Sequence, residues 1–201
     1  IRRLVKNNFR VIAATRNSHQ KGYILKTQAP IGFIDIREIN IKDDRKIRET
    51  IKESDICLNL VGILFEKGKN TFTNIHVEFP KMISKLASTY KLEKFVHLSA
   101  LGIESAEDSV YAKSKLKGEK EILDNFNRTV IVRPSIVYSV DDNFTTQLMT
   151  LLRLLPIFPI YYNGKTKFRP IHCSDLTNSI TRIITDDIKE NIIEFVGPEE
   201  M

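Results

Sequence analysis

Short runs rich in β-branched residues alternate with amphipathic stretches along this chain, and this alternation restricts the fold more than any other feature of the sequence. The runs are continuously apolar rather than strictly alternating, which is typical of strands that are covered on both faces. They occupy residues 10–14, 32–36, 55–61, 94–99, 129–133 and 191–196. Strands separated by helices usually lie parallel in one sheet. The sequence therefore predicts an α/β fold in which helices cover both faces of a parallel sheet.

The stretches between these runs carry apolar residues at helical spacing. They occupy residues 44–53, 74–90, 109–126, 143–154 and 175–185. Pro80 lies inside the second stretch, so that helix either kinks there or starts late. Ser174 or Asp175 is the expected N-cap of the last helix. Residues 1–8 have the pattern of the end of a helix that precedes the first strand-like run.

A length of 201 residues, of which 42% are hydrophobic and 28% charged, suits a single globular domain spanning residues 1–201. No apolar run is long enough to span a membrane. Cys57 and Cys173 lie far apart, and neither they nor the four histidines have a spacing typical of metal or redox sites. We therefore expect reduced thiols, a reducing compartment and no bound metal.

The net charge of +6 is spread along the chain rather than concentrated in one segment. Lysines alternate with acidic residues, for example within 49–55 and 115–121. This pattern favours solvated helix faces over a nucleic-acid surface, and no aromatic stacking surface is legible in the sequence. We expect no nucleic acid among the partners.

Ser99, Tyr111 and Lys115 are the candidate catalytic residues. Tyr111 and Lys115 are four residues apart and share one face of the helix predicted over 109–126, while Ser99 ends a strand-like run twelve residues before Tyr111. A hydroxyl, a phenol and an ammonium group placed together can move a proton to or from a carbonyl or an alcohol. The ammonium favours the phenolate and improves the phenol as an acid–base group. The alternative is an exposed Tyr–Lys pair on a lysine-rich helix.

Residues that follow predicted strands are candidates for a nucleotide site, because ligands of parallel α/β sheets bind at the carboxyl ends of the strands. Gly62 would let a phosphate or a flat ring approach the backbone there, although a simple turn explains it equally well. Arg16 stands where an arginine accommodates the 2′-phosphate of NADP, whereas an acid reads the free hydroxyl of NAD. NADP(H) is therefore favoured over NAD(H). The cofactor-binding candidates are Thr15, Arg16, Asp35, Ile36, Leu60, Val61, Gly62, Tyr111, Lys115, Pro134, Ser135 and Ile136.

The first visible strand reads as the second strand of such a nucleotide-binding unit. The unit also needs an earlier strand and a glycine-rich turn, and neither is present in this sequence. We therefore expect that roughly a dozen or more residues are missing before Ile1.

Residues 139–190 are expected to form the substrate or docking side of the domain. Within them, residues 151–160 are too apolar for a free loop and are interrupted by Arg153 and two prolines. This segment would form part of the core, a lid over a substrate pocket, or a docking patch for a protein or membrane surface.

Together these motifs resemble the short-chain dehydrogenase/reductase superfamily, in its extended or atypical branch of NAD-dependent epimerases and dehydratases. The resemblance covers essentially the whole chain and rests on the run ending at Arg16 and on residues 59–62, 98–102, 111–115, 133–135 and 169–175. It implies a Rossmann-like doubly wound sheet that lacks its first strand here. It also implies that Tyr111 is the acid–base group, that Lys115 binds the nicotinamide ribose, and that Ser99 hydrogen-bonds the substrate oxygen.

Residues 97–103, 111–119 and 133–144 resemble most the nucleotide-binding accessory subunits of respiratory complex I and their alphaproteobacterial relatives. That resemblance implies NADPH held with little or no turnover. It also implies a position against the peripheral arm of the complex, near the membrane, on the cytoplasmic face in bacteria or on the equivalent matrix side. The alternative is a free-standing NADP-dependent reductase, or an epimerase or dehydratase acting on a nucleotide-sugar or quinone-pathway substrate.

Overall fold

Strands and helices alternate along the chain, as the apolar pattern predicts. The computed structural model describes residues 1–140, 142–154 and 167–200. In chain order its elements are α1 (Arg2–Lys6), β1 (Val11–Thr15), α2 (Ser18–Lys26), β2 (Ile34–Glu38), α3 (Asp44–Lys52), β3 (Ile56–Asn59), a π-helical segment (Thr73–Glu78), α4 (Phe79–Thr89), β4 (Lys94–Leu98), α5 (Val110–Asn125), β5 (Thr129–Pro134), β6 (Val137–Tyr138), α6 (Asn143–Leu154), β7 (Ile171–His172), α7 (Cys173–Thr185) and β8 (Ile192–Phe195). The predicted α/β fold is confirmed.

Every strand pair in the described part of the chain is parallel. The central sheet has four strands in the order β3-β4-β5-β8, whereas β1 pairs with β2 and β6 pairs with β7 as separate two-stranded sheets. Along β4, Phe95 pairs with Thr129 and Leu98 with Val132 of β5. The carboxyl ends of β3, β4 and β5 therefore lie at one edge of the central sheet, which is where ligands of this fold class bind.

Two apolar clusters cover opposite faces of the central sheet. Phe95 belongs to a cluster formed mainly by α3, α4 and α5, whereas its neighbour Val96 belongs to a cluster formed with α7. Because successive side chains of a strand point to opposite faces, this division shows that the sheet is covered on both sides. Both residues are fully buried.

Pro80 marks a change of helix type rather than a kink within one helix. Residues Thr73–Glu78 form a π-helical segment, and the α-helical geometry of α4 begins at Phe79. Pro80 thus lies in the first turn of α4, where a missing backbone N–H costs little. Segments of π-helix are often found near functional sites.

Gly118 brings α5 into backbone contact with this π-helical segment. A Cβ atom at position 118 would lie 1.8 Å from the carbonyl oxygen of His76. No side chain fits such a space, so glycine is required for this close approach. The contact fixes the distance between His76 and the face of α5 that carries Tyr111 and Lys115.

The predicted N-cap of the last helix is wrong. His172 caps α7, and its Nδ1 atom accepts a hydrogen bond of 3.2 Å from the backbone N–H of Ser174. Ser174 and Asp175 are therefore already inside the first turn. No helix in the described part of the chain is both long and apolar enough to cross a membrane.

Candidate active site

Ser99, Tyr111 and Lys115 lie at the end of β4 and on the helix that follows it, α5. Ser99 directly follows β4, and its backbone N–H donates a hydrogen bond of 2.7 Å to the carbonyl oxygen of Val132 on β5. Tyr111 and Lys115 lie one turn apart near the start of α5, whose N-cap Ser109 accepts from the N–H of Ala112. Because α5 begins at Val110, both side chains lie in its first two turns, at the carboxyl edge of the sheet.

Lys115 is buried, with 5% of its surface exposed. Its Nζ atom donates a hydrogen bond of 3.0 Å to the carbonyl oxygen of Leu98, the last residue of β4. Burial lowers the pKa of this ammonium group to about 8, against the opposing effect of the Glu119 carboxylate. A Cβ atom at Gly62 would lie 3.7 Å from Nζ, so the loop after β3 also reaches this point.

The pKa of Tyr111 is raised by burial, not lowered by the neighbouring ammonium group as the sequence led us to expect. The phenol ring is half-buried and packs edge-on against His76 and Phe72, with ring centroids 5.3 and 5.8 Å apart. The loss of hydration therefore outweighs the attraction of Lys115, whose Nζ is bonded to a backbone carbonyl. Without a bound ligand, Tyr111 is a protonated hydrogen-bond donor at neutral pH.

His76 is a site residue that the sequence analysis missed. Its Nε2 atom accepts from the backbone N–H of Ile63 at 3.2 Å, and its Nδ1 atom lies 2.8 Å from the hydroxyl of Ser114. That hydroxyl in turn donates to the carbonyl oxygen of Tyr111 at 2.6 Å. Burial, followed by the charge of Lys115, lowers the pKa of His76 to about 4. A neutral imidazole therefore joins the loop after β3 to the first turn of α5.

Two further buried groups were missed, Asn59 at the end of β3 and His97 on β4. The amide Nδ2 of Asn59 lies 3.1 Å from Nδ1 of His97. On the other side of the ring, His97 Nε2 has no hydrogen-bond partner among the described residues, and the same holds for the buried Oγ of Ser99. Sequence reasoning considered the histidines only as metal ligands, and His97 lies in an apolar run that reads as core. No group of residues in the described chain could hold a metal ion.

Arg133 holds the base of α5 to the central sheet. Its guanidinium is buried and forms hydrogen bonds of 2.6 and 3.2 Å with the carboxylate of Glu119, which is also buried. Glu104 and Glu194 approach the same guanidinium at 2.8 and 3.5 Å. The hydrogen bonds that Arg133 donates to Glu119 raise the pKa of Arg133 above its ordinary value. This network links α5 to β5 one turn after Lys115.

The remaining cofactor candidates divide between two places. Leu60, Val61 and Gly62 follow β3. Pro134 ends β5, and Ser135 and Ile136 follow it, so that these residues share the carboxyl edge of the central sheet. Ser135 and Ile136 are held by backbone hydrogen bonds to Phe195 and Ile171.

The other four candidates lie on the β1–β2 pair. Thr15 ends β1, and the exposed Arg16 follows it. Asp35 and Ile36 lie inside β2 rather than at its carboxyl end, which is Glu38, and Asp35 forms an ion pair of 2.9 Å with Arg37. The sequence placed the end of this strand too early, so Asp35 and Ile36 do not lie at the ligand-binding edge.

Glu38 occupies that edge instead. Its carboxylate accepts hydrogen bonds of 3.1 and 2.5 Å from the backbone N–H and the hydroxyl of Ser18, at the start of α2. These bonds lower the pKa of Glu38. An acid and a base, Glu38 and Arg16, therefore both lie near the end of β1.

Comparison with known proteins finds relatives along nearly the whole chain, although no protein-family model matches it. The chain is 23% identical over 201 residues to the NADH-ubiquinone oxidoreductase 40 kDa subunit, mitochondrial, of Neurospora crassa, covering 99% of this chain and 52% of that protein. It is 28% identical over 197 residues to NADH dehydrogenase (ubiquinone) 1 alpha subcomplex subunit 9, mitochondrial, of Dictyostelium discoideum, covering 98% of this chain and 54% of that protein. The chain thus spans about half the length of the curated relatives it matches.

Solved structures with the same fold include nucleotide-sugar enzymes. UDP-glucuronic acid 4-epimerase from Bacillus cereus in complex with NAD superposes with a TM-score of 0.77 at 19% identity, covering 98% of this chain and 74% of that one. The dTDP-4-dehydrorhamnose reductase of Bacillus anthracis in complex with NADP gives 0.67 at 15% identity, covering 94% and 75%. These likenesses confirm the Rossmann-like fold, and together with the curated relatives they confirm the resemblance predicted from the sequence.

Proposed function

We propose that this chain binds NADP(H) as part of an accessory subunit of a respiratory NADH:quinone oxidoreductase and turns the cofactor over little or not at all. The observation that carries the nucleotide-binding part is the position of Lys115. Its buried ammonium group donates to the carbonyl of Leu98 and faces the backbone of Gly62, and the hydroxyl of the next residue in the chain, Ser99, has no hydrogen-bond partner among the described residues. A polar and ordered site at a sheet edge, with hydrogen-bonding groups that are not fully used, suits a polyhydroxylated ligand.

The residues at this edge fit a nicotinamide dinucleotide. Lys115 is a fixed donor for ribose hydroxyls, the bare backbone at Gly62 allows a ring to approach, and Ser99 and Tyr111 present hydroxyls to a substrate oxygen. When bound, the nicotinamide supplies the capacity for hydride transfer. The protonated state of Tyr111 makes it a hydrogen-bond donor toward an oxygen of the bound ligand at neutral pH.

The preference for NADP(H) rests on Arg16. Its exposed guanidinium follows β1, near the expected place of a 2′-phosphate, and would pair with that group. Glu38 opposes this preference, because its negative charge would repel the 2′-phosphate. Its carboxylate also accepts the hydrogen bonds from both donors of Ser18 at the start of α2. For NADP(H) to bind tightly, the attraction of Arg16 must exceed the repulsion of Glu38.

The proposed partner is the respiratory complex, on the cytoplasmic face in bacteria or the matrix side of mitochondria. The curated relatives are subunits of such complexes by name. Exposed apolar side chains at the end of α6, Leu152 and Leu154, support a docking role for the segment 151–160. Residues 155–160 of that segment lie outside the described residues. Proximity of the segment to a membrane surface is a further part of the proposal.

An active NADP-dependent reductase or an epimerase/dehydratase is the second candidate. It is favoured by the presence of Ser99, Tyr111 and Lys115 together at one edge of the sheet. The fold neighbours include an epimerase and a reductase of nucleotide sugars.

One preparation distinguishes the two candidates. The protein is purified natively from its source, and the bound nucleotide and the copurifying proteins are identified in the same sample. NADPH together with subunits of the respiratory complex is the expected result. A protein that is alone and that consumes added NADPH over many turnovers would instead favour the enzyme.

A second experiment tests the docking segment. The variant Leu152→Ser/Leu154→Ser is expected to lose copurification of the complex while it keeps the Tm of the parent chain. A variant that still copurifies would contradict the docking role of α6.

A further inference from the structure

Two buried polar atoms at the end of β4 lack a hydrogen-bond partner among the described residues, His97 Nε2 and Ser99 Oγ. His97 is 1% exposed and Ser99 is 7% exposed. Ser99 follows β4 directly, and its backbone N–H continues the hydrogen bonds to β5. The two side chains, two residues apart, therefore lie on the same face, which is the face that packs against α5. A buried polar group without a partner is costly, so two together on one face need an explanation.

The proton on His97 can be assigned from its neighbours. The backbone N–H of Val61 donates to Oδ1 of Asn59 at 3.0 Å, which leaves the NH2 group of Asn59 facing His97. That group can only donate, so Nδ1 of His97 accepts at 3.1 Å and carries no proton. A neutral imidazole then carries its proton on Nε2. The unpartnered Nε2 atom is therefore a hydrogen-bond donor that needs an acceptor.

His97 stays neutral because of what surrounds it. Burial is the largest cause that lowers its pKa, to about 3, and the charge of Lys115, followed by the nearby imidazole of His76, acts in the same direction. No carboxylate contributes to the opposite shift. The assignment of one proton to Nε2 therefore holds over the whole neutral pH range.

We propose that a single water molecule is bound between Nε2–H of His97 and Oγ of Ser99, and that His97 is a positioning residue which makes Ser99 a hydrogen-bond donor toward the ligand. The two protein atoms do not hydrogen-bond to each other, and one water between them would give each atom a partner. The water accepts from His97 and donates to Oγ. The hydroxyl proton of Ser99 is then directed away from the water and into the cleft.

This arrangement gives the hydrogen-bond chain one direction, from the amide of Val61 through Asn59, His97 and the water to Ser99. The hydroxyl proton of Ser99 is then available to a group that accepts, such as a carbonyl oxygen or an alkoxide. This last step rests on the proposed function of Ser99, whereas the water and the histidine tautomer do not.

The tautomer and the water are tested by NMR on the chain labelled with ¹⁵N in its histidines. We expect Nδ1 of His97 to be unprotonated, and a slowly exchanging Nε2–H resonance to show a cross-peak to a bound water. A protonated Nδ1, or an Nε2–H in fast exchange with bulk solvent without such a cross-peak, would overturn the proposal.

Two pairs of variants, at Asn59 with its control Asn40 and at Ser99, sharpen the test. Asn59→Asp replaces the donor with an acceptor of the same shape, so a proton should appear on Nδ1 of His97. Asn40→Asp, an exposed site, adds the same charge and should change nothing. Ser99→Ala should weaken the water cross-peak and leave the tautomer intact, and Ser99→Thr should restore the cross-peak. An unaltered cross-peak in Ser99→Ala would contradict the bridge. Because none of these signals depends on nucleotide, failure to bind NADP(H) would leave this result standing.

Discussion

The central-sheet end of the candidate site and the β1–β2 end hold their polar groups in different ways. At the central sheet, Lys115, His76, His97 and Arg133 are almost fully buried, and their hydrogen bonds reach across different elements. On the β1–β2 pair, Arg16 and Glu38 are exposed, and Glu38 accepts hydrogen bonds from the start of a neighbouring helix. The central-sheet end is thus fixed by packing, whereas the other end is set by exposed charges that solvent screens. Changes at the first should cost stability, and changes at the second should shift specificity.

The largest difference in stability between the two regions is expected when a glycine in each is replaced by alanine. Gly118→Ala places a Cβ atom 1.8 Å from the His76 carbonyl oxygen, so α5 and the π-helical segment must separate. We expect a loss of about 3 kcal/mol or more in the free energy of unfolding. Gly22→Ala, in α2, meets no atom within 4 Å and should stabilise the chain by about 1 kcal/mol. Denaturant unfolding measures both, and effects of the same sign would contradict the comparison.

Removal of a carboxylate should give the second largest difference in stability between the two regions. Glu119→Ala leaves Arg133 buried without its closest partner, and breaking such a pair costs about 3–5 kcal/mol. Since Glu104 and Glu194 remain near the guanidinium, a loss of about 3 kcal/mol is expected. Asp35→Ala removes a partner of the partly exposed Arg37 and should cost about 1 kcal/mol or less. Urea midpoints at constant m-value are the readout, and equal losses would mean that burial is not the deciding factor.

The buried histidines should make stability depend on pH. The pKa of His97 is about 3 in the folded chain, against 6.5 for an ordinary histidine. Below pH 6.5 the unfolded chain takes up a proton that the folded chain refuses, so stability falls as the pH decreases from 6.5 toward 3. We expect about 1 kcal/mol from His97 between pH 6.5 and 5.5.

The control compares variants over the same pH range. His97→Gln should flatten the pH dependence of the unfolding free energy, whereas a change at the exposed His19 should not. A His97→Gln profile parallel to that of the parent chain would show that the pKa of His97 is the same in the folded and the unfolded chain.

The smallest effects are expected at the exposed end, where they should appear in ligand choice. Arg16→Asp is expected to weaken NADPH binding about tenfold and NADH binding little, in protein able to bind both. Glu38→Gln should act in the opposite direction, because it removes a negative charge near the expected 2′-phosphate. Calorimetric titration with both nucleotides gives the ratio. Equal losses for NADPH and NADH in Arg16→Asp would exclude a phosphate contact.

The sequence predicted what depends on local pattern. The position of Tyr111 and Lys115 on one helix, and of Ser99 at a strand end, follows from spacing alone. The strand bounds of the central sheet are also close to those predicted, because those strands are buried and their runs are continuously apolar. The end of β2 was misplaced because that strand is half-exposed and finishes with the polar residues Arg37 and Glu38.

The sequence failed where residues meet across a long separation. His76 reaches Ser114, and Asn59 reaches His97, across 38 positions in each case. No periodicity reports such contacts. The π-helical segment was also invisible, since its residues fit an α-helical apolar pattern equally well.

The contact at Gly118 has a consequence for how chains of this kind vary. If position 118 gains a side chain, the π-helical segment must move, and His76 loses its place beside Tyr111. Positions 76 and 118 are therefore expected to change together among natural sequences, although neither side chain would be expected to touch a ligand. In relatives with a bulkier residue at 118, the histidine should be absent as well.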